Sequence, residues 1–286
     1  MRRVELKAIE RADLGRVGEF LHSHMNQRLS AERWTACLNP PWDARSPNHG
    51  YMLVDGDSIV GVNIAFYSER TIDGRIERFC NLAAWCVLPK YRFHSLRLLK
   101  ALLAQSDYSF TDLSPSGNAI QVNVGLKFQF LDTTTRLVMN LPWPSWFDRV
   151  SVSGDPALID SVLAGRDQQI YRDHASAAAA CHVVLTRGSD VCYVMFRHER
   201  RKRLPIFVSL LYVSNPALFR TMIRAFSRHM FLRHGALATL AEHRIVPVAL
   251  WPAVALRNNR TKMFNSTRLG PAHIDYLYSE LACVPW

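Results

Sequence analysis

The stretch Trp85-Cys86-Val87-Leu88-Pro89-Lys90-Tyr91-Arg92-Phe93-His94-Ser95-Leu96-Arg97 joins two kinds of hydrophobic periodicity. Upstream, Ile76 to Leu88 is apolar at nearly every position from Phe79 onward, which predicts a central strand buried on both faces. Pro89 ends it. Downstream, Leu96, Leu99 and Leu103 share one helical stripe. A buried strand is thus expected to run directly into a helix through a short basic loop. A helix N-terminus carries unpaired N–H groups and the positive end of the helix dipole, so it can hold a phosphate. Arg92, His94 and Arg97 would strengthen that attraction. The same pattern also fits an ordinary strand–helix turn with solvated basic residues.

Working outward, Arg3 to Ile9 reads as a strand. A helix follows, with Leu14, Val17, Leu21 and Met25 at helical spacing and Asp13 as its N-cap. A second helix opens at Ser30 and stops at Asn39-Pro40-Pro41. The period then becomes extended. Tyr51–Val54 ends at Asp55-Gly56, Ser58–Tyr67 is β-rich, and Asp73-Gly74 suits a tight hairpin into the central strand. Beyond the junction, Phe110–Leu113 is a short strand, Asn118–Gly125 a short helix, and Phe128–Asn140 further β structure. Pro142-Trp143-Pro144-Ser145-Trp146 reads as a connector. Asp155 and Pro156 open another helix, and Ala177–Ala180 extends a helix or fills close packing.

An internal repeat organises this list. Tyr51–Arg70 lies over His182–Arg201 without gaps, and Leu82–Leu88 then lies over Val208–Ser214. Each copy continues with a proline, Pro89 or Pro216, and an amphipathic helix. Later, Phe130-Leu131-Asp132-Thr133-Thr134 resembles Met263-Phe264-Asn265-Ser266-Thr267. The expected architecture is mixed α/β (α+β) in two tandem modules, residues 1–142 and 143–286, each a mostly antiparallel sheet flanked by helices.

The order of strand, two helices, antiparallel strands, V-x-P-x-Y-R junction, helix and a later Gly-Leu-Lys-Phe resembles the GNAT acyltransferase superfamily. The likeness covers residues 1–140 and, less specifically, about 180–270. It implies that strands four and five part and that acetyl-CoA or another acyl-CoA sits in the gap as donor. In that family the loop after strand four has the pattern Q/R-x-x-G-x-G/A and binds the pyrophosphate through backbone N–H groups. Here Val87, Pro89, Tyr91 and Arg92 match, while Ser95 and Arg97 stand at the two glycine positions. The resemblance therefore makes Cys86, Val87, Leu88, Arg92, Phe93, His94, Ser95, Leu96, Arg97 and Asn118 the donor-binding candidates. A backbone N–H near Cys86–Leu88 is the implied oxyanion donor. Asn123-Val124-Gly125-Leu126-Lys127-Phe128 resembles the family's Y-x-x-L-G-F, with Asn123 in place of the Tyr that often protonates the leaving thiolate. The second module's junction, Val213-Ser214-Asn215-Pro216-Ala217-Leu218-Phe219, lacks both the arginine and the glycines, and reads as a degenerate copy.

The implied reaction is direct acyl transfer to an amine or hydroxyl of a small molecule or sugar. Asp112, Ser114 and Asn123 are the candidates for catalysis. Glu77 opens the central strand as a base or as a solvated hairpin charge, and Cys86 is a conceivable acyl nucleophile. Two alternatives are a catalytically impaired binding protein of the same fold, and a transferase drawing on an acyl-carrier protein docked at Arg200-Arg201-Lys202-Arg203.

Composition sets the outer bounds. The 286 residues are 49% hydrophobic and 21% charged, which is enough to bury a core. Net charge is +11, of which residues 1–142 carry +3 and the remainder +8. No zinc-finger spacing or interleaved aromatic motif points to nucleic acid. No apolar run reaches the ~18 residues of a membrane span, and the basic start has no apolar signal core. The six scattered cysteines, without C-x-x-C spacing, read as reduced core residues of a cytoplasmic protein with no metal site.

Overall fold

The computed structural model describes residues 4–144, 149–201, 204–250, 253–256 and 259–285. The chain forms two compact units: residues 1–131 with 261–284, and residues 132–260 with 285–286. They do not follow a single cut at 142/143, because two strands change sides.

The first unit opens with β1 (Glu5–Ala8), α1 (Leu14–His24) and α2 (Ala31–Cys37). It continues through β2 (Gly50–Asp55), β3 (Ser58–Ile72), β4 (Arg75–Val87), α3 (Ser95–Leu103), β5 (Tyr108–Asp112), α4 (Asn118–Gly125) and β6 (Gln129–Phe130). The second unit holds β7 (Thr135–Met139), β8 (Ser151–Ser153), α5 (Pro156–Val162), α6 (Gly165–His174), β9 (Cys181–Arg187) and β10 (Asp190–Arg201). It then holds β11 (Leu204–Val213), α7 (Pro216–His234), β12 (Ala238–Glu242) and β13 (Ala253–Ala255). The chain returns to the first unit for β14 (Met263–Asn265) and α8 (Glu280–Cys283).

The two seven-stranded sheets have the same plan, β1-β2-β3-β4-β5-β14-β6 and β8-β9-β10-β11-β12-β7-β13. In each the pairs are antiparallel except one, β4 with β5 and β11 with β12. In each the strand beyond that parallel pair comes from the other half of the sequence. β14 lies antiparallel to β5, and β7 antiparallel to β12. The exchanged strands are thus β7 and β14; Phe130–Thr134 and Met263–Thr267, alike in sequence, are not equivalent, since Phe130 of β6 and Met263 of β14 pair with each other in the first sheet. Phe128–Asn140, read as β structure of the first module, divides between the two sheets.

Local chemistry accounts for several element ends. Ser30 caps α2 by accepting from the Arg33 N–H at 3.3 Å, and Asp155 caps α5. Asp73 and Gly74 both take positive φ, the geometry of a tight hairpin turn. Asp13 does not cap α1: a 3-10 turn over Arg11–Asp13 precedes the helix, and the Asp13 carboxylate accepts the Glu10 N–H at 3.0 Å. Ala177–Ala180 is a turn of close packing before β9 rather than helix. The connector residues Ser145 and Trp146 lie outside the described residues. The first core joins Leu99 and Leu102 of α3 to Tyr67, Cys80, Leu82 and Phe110 of the sheet, with Met263 of the exchanged strand. The second joins Phe219, Met222 and Phe226 of α7 to Val194, Phe196, Val208 and Leu210. Four of the six cysteines are buried thiols and two are half-buried. Among the described residues no helix is long and apolar enough to cross a membrane.

Candidate functional site

The parallel register of β4 and β5 runs from Arg78 opposite Tyr108 to Leu82 opposite Asp112. There β5 ends, while β4 continues to Val87. The last residues of β4 have therefore lost their neighbour on that side. A β-bulge lies in the same segment: Val62 pairs with Cys86 but Ile64 with Ala83, so Ala84 and Trp85 together oppose Asn63. Ala84 adopts φ +46°, a conformation that L-residues rarely take within a strand. Beyond the bulge, Leu88 donates its N–H to the Val60 carbonyl at 3.0 Å. Strand alternation then turns the Val87 N–H to the side that β5 has left.

The loop that follows is built differently from the expected direct strand-to-helix step. A 3-10 turn over Pro89–His94 leads into α3, and the Ser95 N–H donates to the Arg92 carbonyl. The amide at the first glycine position is therefore committed within the turn. Arg97 also points elsewhere, donating to the Val4 carbonyl at 3.0 Å. Tyr91 ties the turn to the β2–β3 hairpin through Asp55 at 2.7 Å. Lys90, Arg92 and Phe93 are exposed, Phe93 at 77%, while His94 is half-buried with its ring 4.3 Å from that of Phe93. Leu96 is exposed as well. The positive charge offered to solvent here thus comes from the Lys90 and Arg92 side chains.

Where the strands part, the structure brings together two of the three catalytic candidates. Asp112 is the buried last residue of β5, and the amide of Asn123 on α4 donates to its carboxylate at 2.8 Å. Burial pushes the Asp112 carboxyl up to about 6, against the opposing effect of hydrogen bonds from Asn123 and the Ser114 backbone. The Oδ1 atom of Asn123 is buried without a hydrogen-bond partner. Ser114 is engaged elsewhere: its hydroxyl donates to Glu280 at 2.7 Å. Glu280 is fully buried, and its backbone N–H donates to Asn81 of β4 at 2.9 Å. Asn81 in turn donates to Thr111 of β5. Asn118 begins α4 as an exposed residue, after Gly117 at φ +54°. Lys127, at the glycine position of the Y-x-x-L-G-F pattern, takes φ +64°.

The other candidates are accounted for structurally. Glu77 is buried and held by Arg268 at 2.9 Å. Burial raises the pKa of the Cys86 thiol, which opposes a nucleophilic thiolate. Glu280 and Asn81 were missed by sequence reasoning. Asn81 had a signal, as a lone amide in an apolar strand, while Glu280 arrives from a segment far along the chain. Among the described residues no group of three ligating side chains could hold a metal ion.

In the second unit the same plan carries different residues. β11 has a bulge at Leu211, since Met195 pairs with Tyr212 and Phe196 with Leu210. Its helix α7 is capped by its own Asn215 side chain, which accepts the Leu218 N–H at 2.9 Å. Glu242 ends β12 where Asp112 ends β5, and no helix equivalent to α4 follows among the described residues.

No protein-family model matches the sequence. No curated protein matches it either. Solved structures do. A GCN5-related N-acetyltransferase from Anabaena variabilis is 11% identical, with 92% of this chain and 72% of that chain covered and a TM-score of 0.55. The N-myristoyltransferase of Saccharomyces cerevisiae, solved with bound myristoyl-CoA and inhibitors, is 9% identical over 99% of this chain and 87% of its own, with a TM-score of 0.56. At such identities the likeness is one of architecture. The chain has the fold of the GCN5-related N-acetyltransferases, in two tandem copies.

Proposed function

We propose that this protein is an acyltransferase that moves an acetyl or longer acyl group from acyl-CoA to an amine or hydroxyl of a small molecule or sugar. The observation that carries this reading is the fork between β4 and β5, with the buried, elevated-pKa carboxyl of Asp112 at its base. Such a fork presents the Val87 N–H to a thioester carbonyl, where it would stabilise the developing oxyanion. The Lys90 and Arg92 side chains supply charge for the donor's phosphates. Asp112 is the base: as a carboxylate it takes the proton of the attacking amine or hydroxyl. The same carboxyl can return that proton to the departing thiolate, which supplies the acid that Asn123 cannot. Asn123 acts as a positioning residue through its hydrogen bond to Asp112.

The test is thiol release from acetyl-CoA and longer acyl-CoAs against a panel of amines and sugars. Turnover that falls by about 10²–10⁴-fold in Asp112→Asn, with donor binding retained, supports the base assignment. Arg92→Ala should weaken donor binding with little change in kcat. A protein that neither binds nor turns over any acyl-CoA overturns the proposal. A second reading, donor binding without turnover, draws on the absence of an ionisable proton at Asn123; it is the outcome in which acyl-CoA binds and no thiol is released.

A further inference from the structure

One end of the second unit concentrates exposed aliphatic side chains. They come from three segments that strand pairing brings together. Arg201 pairs with Leu204 at the β10–β11 hairpin. Leu237, just past α7, donates its N–H to Ile206 at 2.8 Å, and Asn140, just past β7, donates to the Leu237 carbonyl at 2.9 Å. Met139 pairs with Ala238. At this end Leu232 is 62% exposed, Leu204 52%, Met139 43% and Leu237 42%, with Leu141 exposed beside them. They project from strand ends, a hairpin and a helix terminus, and they line no common groove.

The charge of the unit that carries them is positive in balance, although exposed Asp155 follows Gly154. Residues 132–260 contain sixteen arginines and one lysine against nine acidic residues. Helix α7 has four arginines, Arg220, Arg224, Arg228 and Arg233, and no Asp or Glu. Arg224 lies over the ring of Trp143 at 5.2 Å, and Arg228 donates to the Trp143 carbonyl at 3.4 Å, which holds the segment after Leu141 against the helix. Arg228 and Arg233 line a groove of about 490 Å³ with Leu232, His229, Ser153 and Gly154. Glu199, the acidic residue next to the hairpin, is buried between Arg201 and Arg260 at 3.0 and 3.3 Å.

We propose that this end of the second unit docks on an anionic membrane surface, its aliphatic side chains entering the interface and its arginines holding lipid phosphates. Guanidinium groups match phosphate geometry better than ammonium groups do. Apolar side chains ringed by cations are the combination that interfacial binding needs. A bilayer requires no complementary shape, which suits scattered aliphatics. A nucleic acid would use stacking rings, and the large exposed apolar side chains here are aliphatic.

The experiment is vesicle co-sedimentation of the whole protein with phosphatidylcholine alone and with phosphatidylcholine mixed with phosphatidylglycerol. Binding should appear only with the anionic mixture and weaken with added salt. Arg233→Ala should lower affinity about fivefold, and Leu232→Ser roughly tenfold; both side chains are exposed, so the fold is not at risk. Equal binding to the two kinds of vesicle, or none to either, overturns the proposal. So does anionic-vesicle binding that Leu232→Ser leaves unchanged, which would make the patch a general polyanion site for an acidic protein or nucleic acid. Leu232-dependent self-association without vesicle binding overturns it as well, in favour of a second copy of the chain.

Discussion

Asp112 is the residue on which the proposed chemistry turns, and its environment has a measurable cost. In the unfolded chain its carboxyl titrates near 3.8, whereas in the folded protein burial moves it to about 6. As pH rises through that window the unfolded state sheds its proton first, so the folded state loses stability, by on the order of 3 kcal/mol at neutral pH. Asp112→Asn removes the effect while leaving Asn123 an oxygen to bond. The variant should melt higher than the natural protein near pH 7, with the gap closing near pH 4. A gap that does not change with pH would show that Asp112 is not a buried, shifted acid. Turnover should rise with pH through about 6, as expected of a base that must be ionised. Asp112 and Asn123 were each named from the sequence, but their hydrogen bond, like that of Ser114 to Glu280, emerges only in the fold. The neighbouring Asn81 and Glu280 were not named, because they are 199 residues apart and meet only through tertiary folding.

At the scale of elements, the position of the strand–helix junction could be read from periodicity, but its shape could not. Leu88, Pro89 and Leu96 mark where strand gives way to helix, yet the intervening 3-10 turn shows only in the hydrogen bonds from Tyr91 to Leu88 and from Ser95 to Arg92. On the proposed function, that turn would move phosphate binding from backbone amides toward side chains, which makes charge at Arg92 matter more than the residue at Ser95. Accordingly Ser95→Gly, which restores the family glycine, should change acyl-CoA affinity by less than about threefold, whereas Arg92→Ala should weaken it by about tenfold in a titration. The reverse ranking would place the phosphates on the backbone. Lys127 is the complementary case. It is exposed and holds φ +64° where the resembling pattern has glycine, so Lys127→Gly should stabilise the first unit by roughly 0.5–1 kcal/mol in denaturant unfolding. A loss of stability would mean that its side chain makes contacts worth more than the backbone strain.

For the molecule as a whole, the repeat made two similar modules legible, and the matching sheet orders bear that out. The exchange of β7 and β14 was not legible, since the alignment set Phe130–Thr134 against Met263–Thr267, whereas Phe130 and Met263 pair side by side in one sheet. It follows that a chain cut at 142/143 leaves the first sheet without β14 and the second without β7. Phe264 and Val138, both fully buried, would be removed from the cores they fill. Separately expressed halves should be unfolded or aggregated by circular dichroism, and co-expressed halves should copurify as a pair; two independently stable halves would contradict the exchange. On the proposed function, the differences between the copies, Asn215 capping α7 and no helix between β12 and β13 among the described residues, argue for donor binding in the first unit alone. Hydrogen exchange with and without acyl-CoA tests that claim most directly. Slowed exchange is expected at Trp85–His94 and at Asp112–Asn123, with Val213–Phe219 unchanged. Protection confined to the second unit, or none in either, would contradict it.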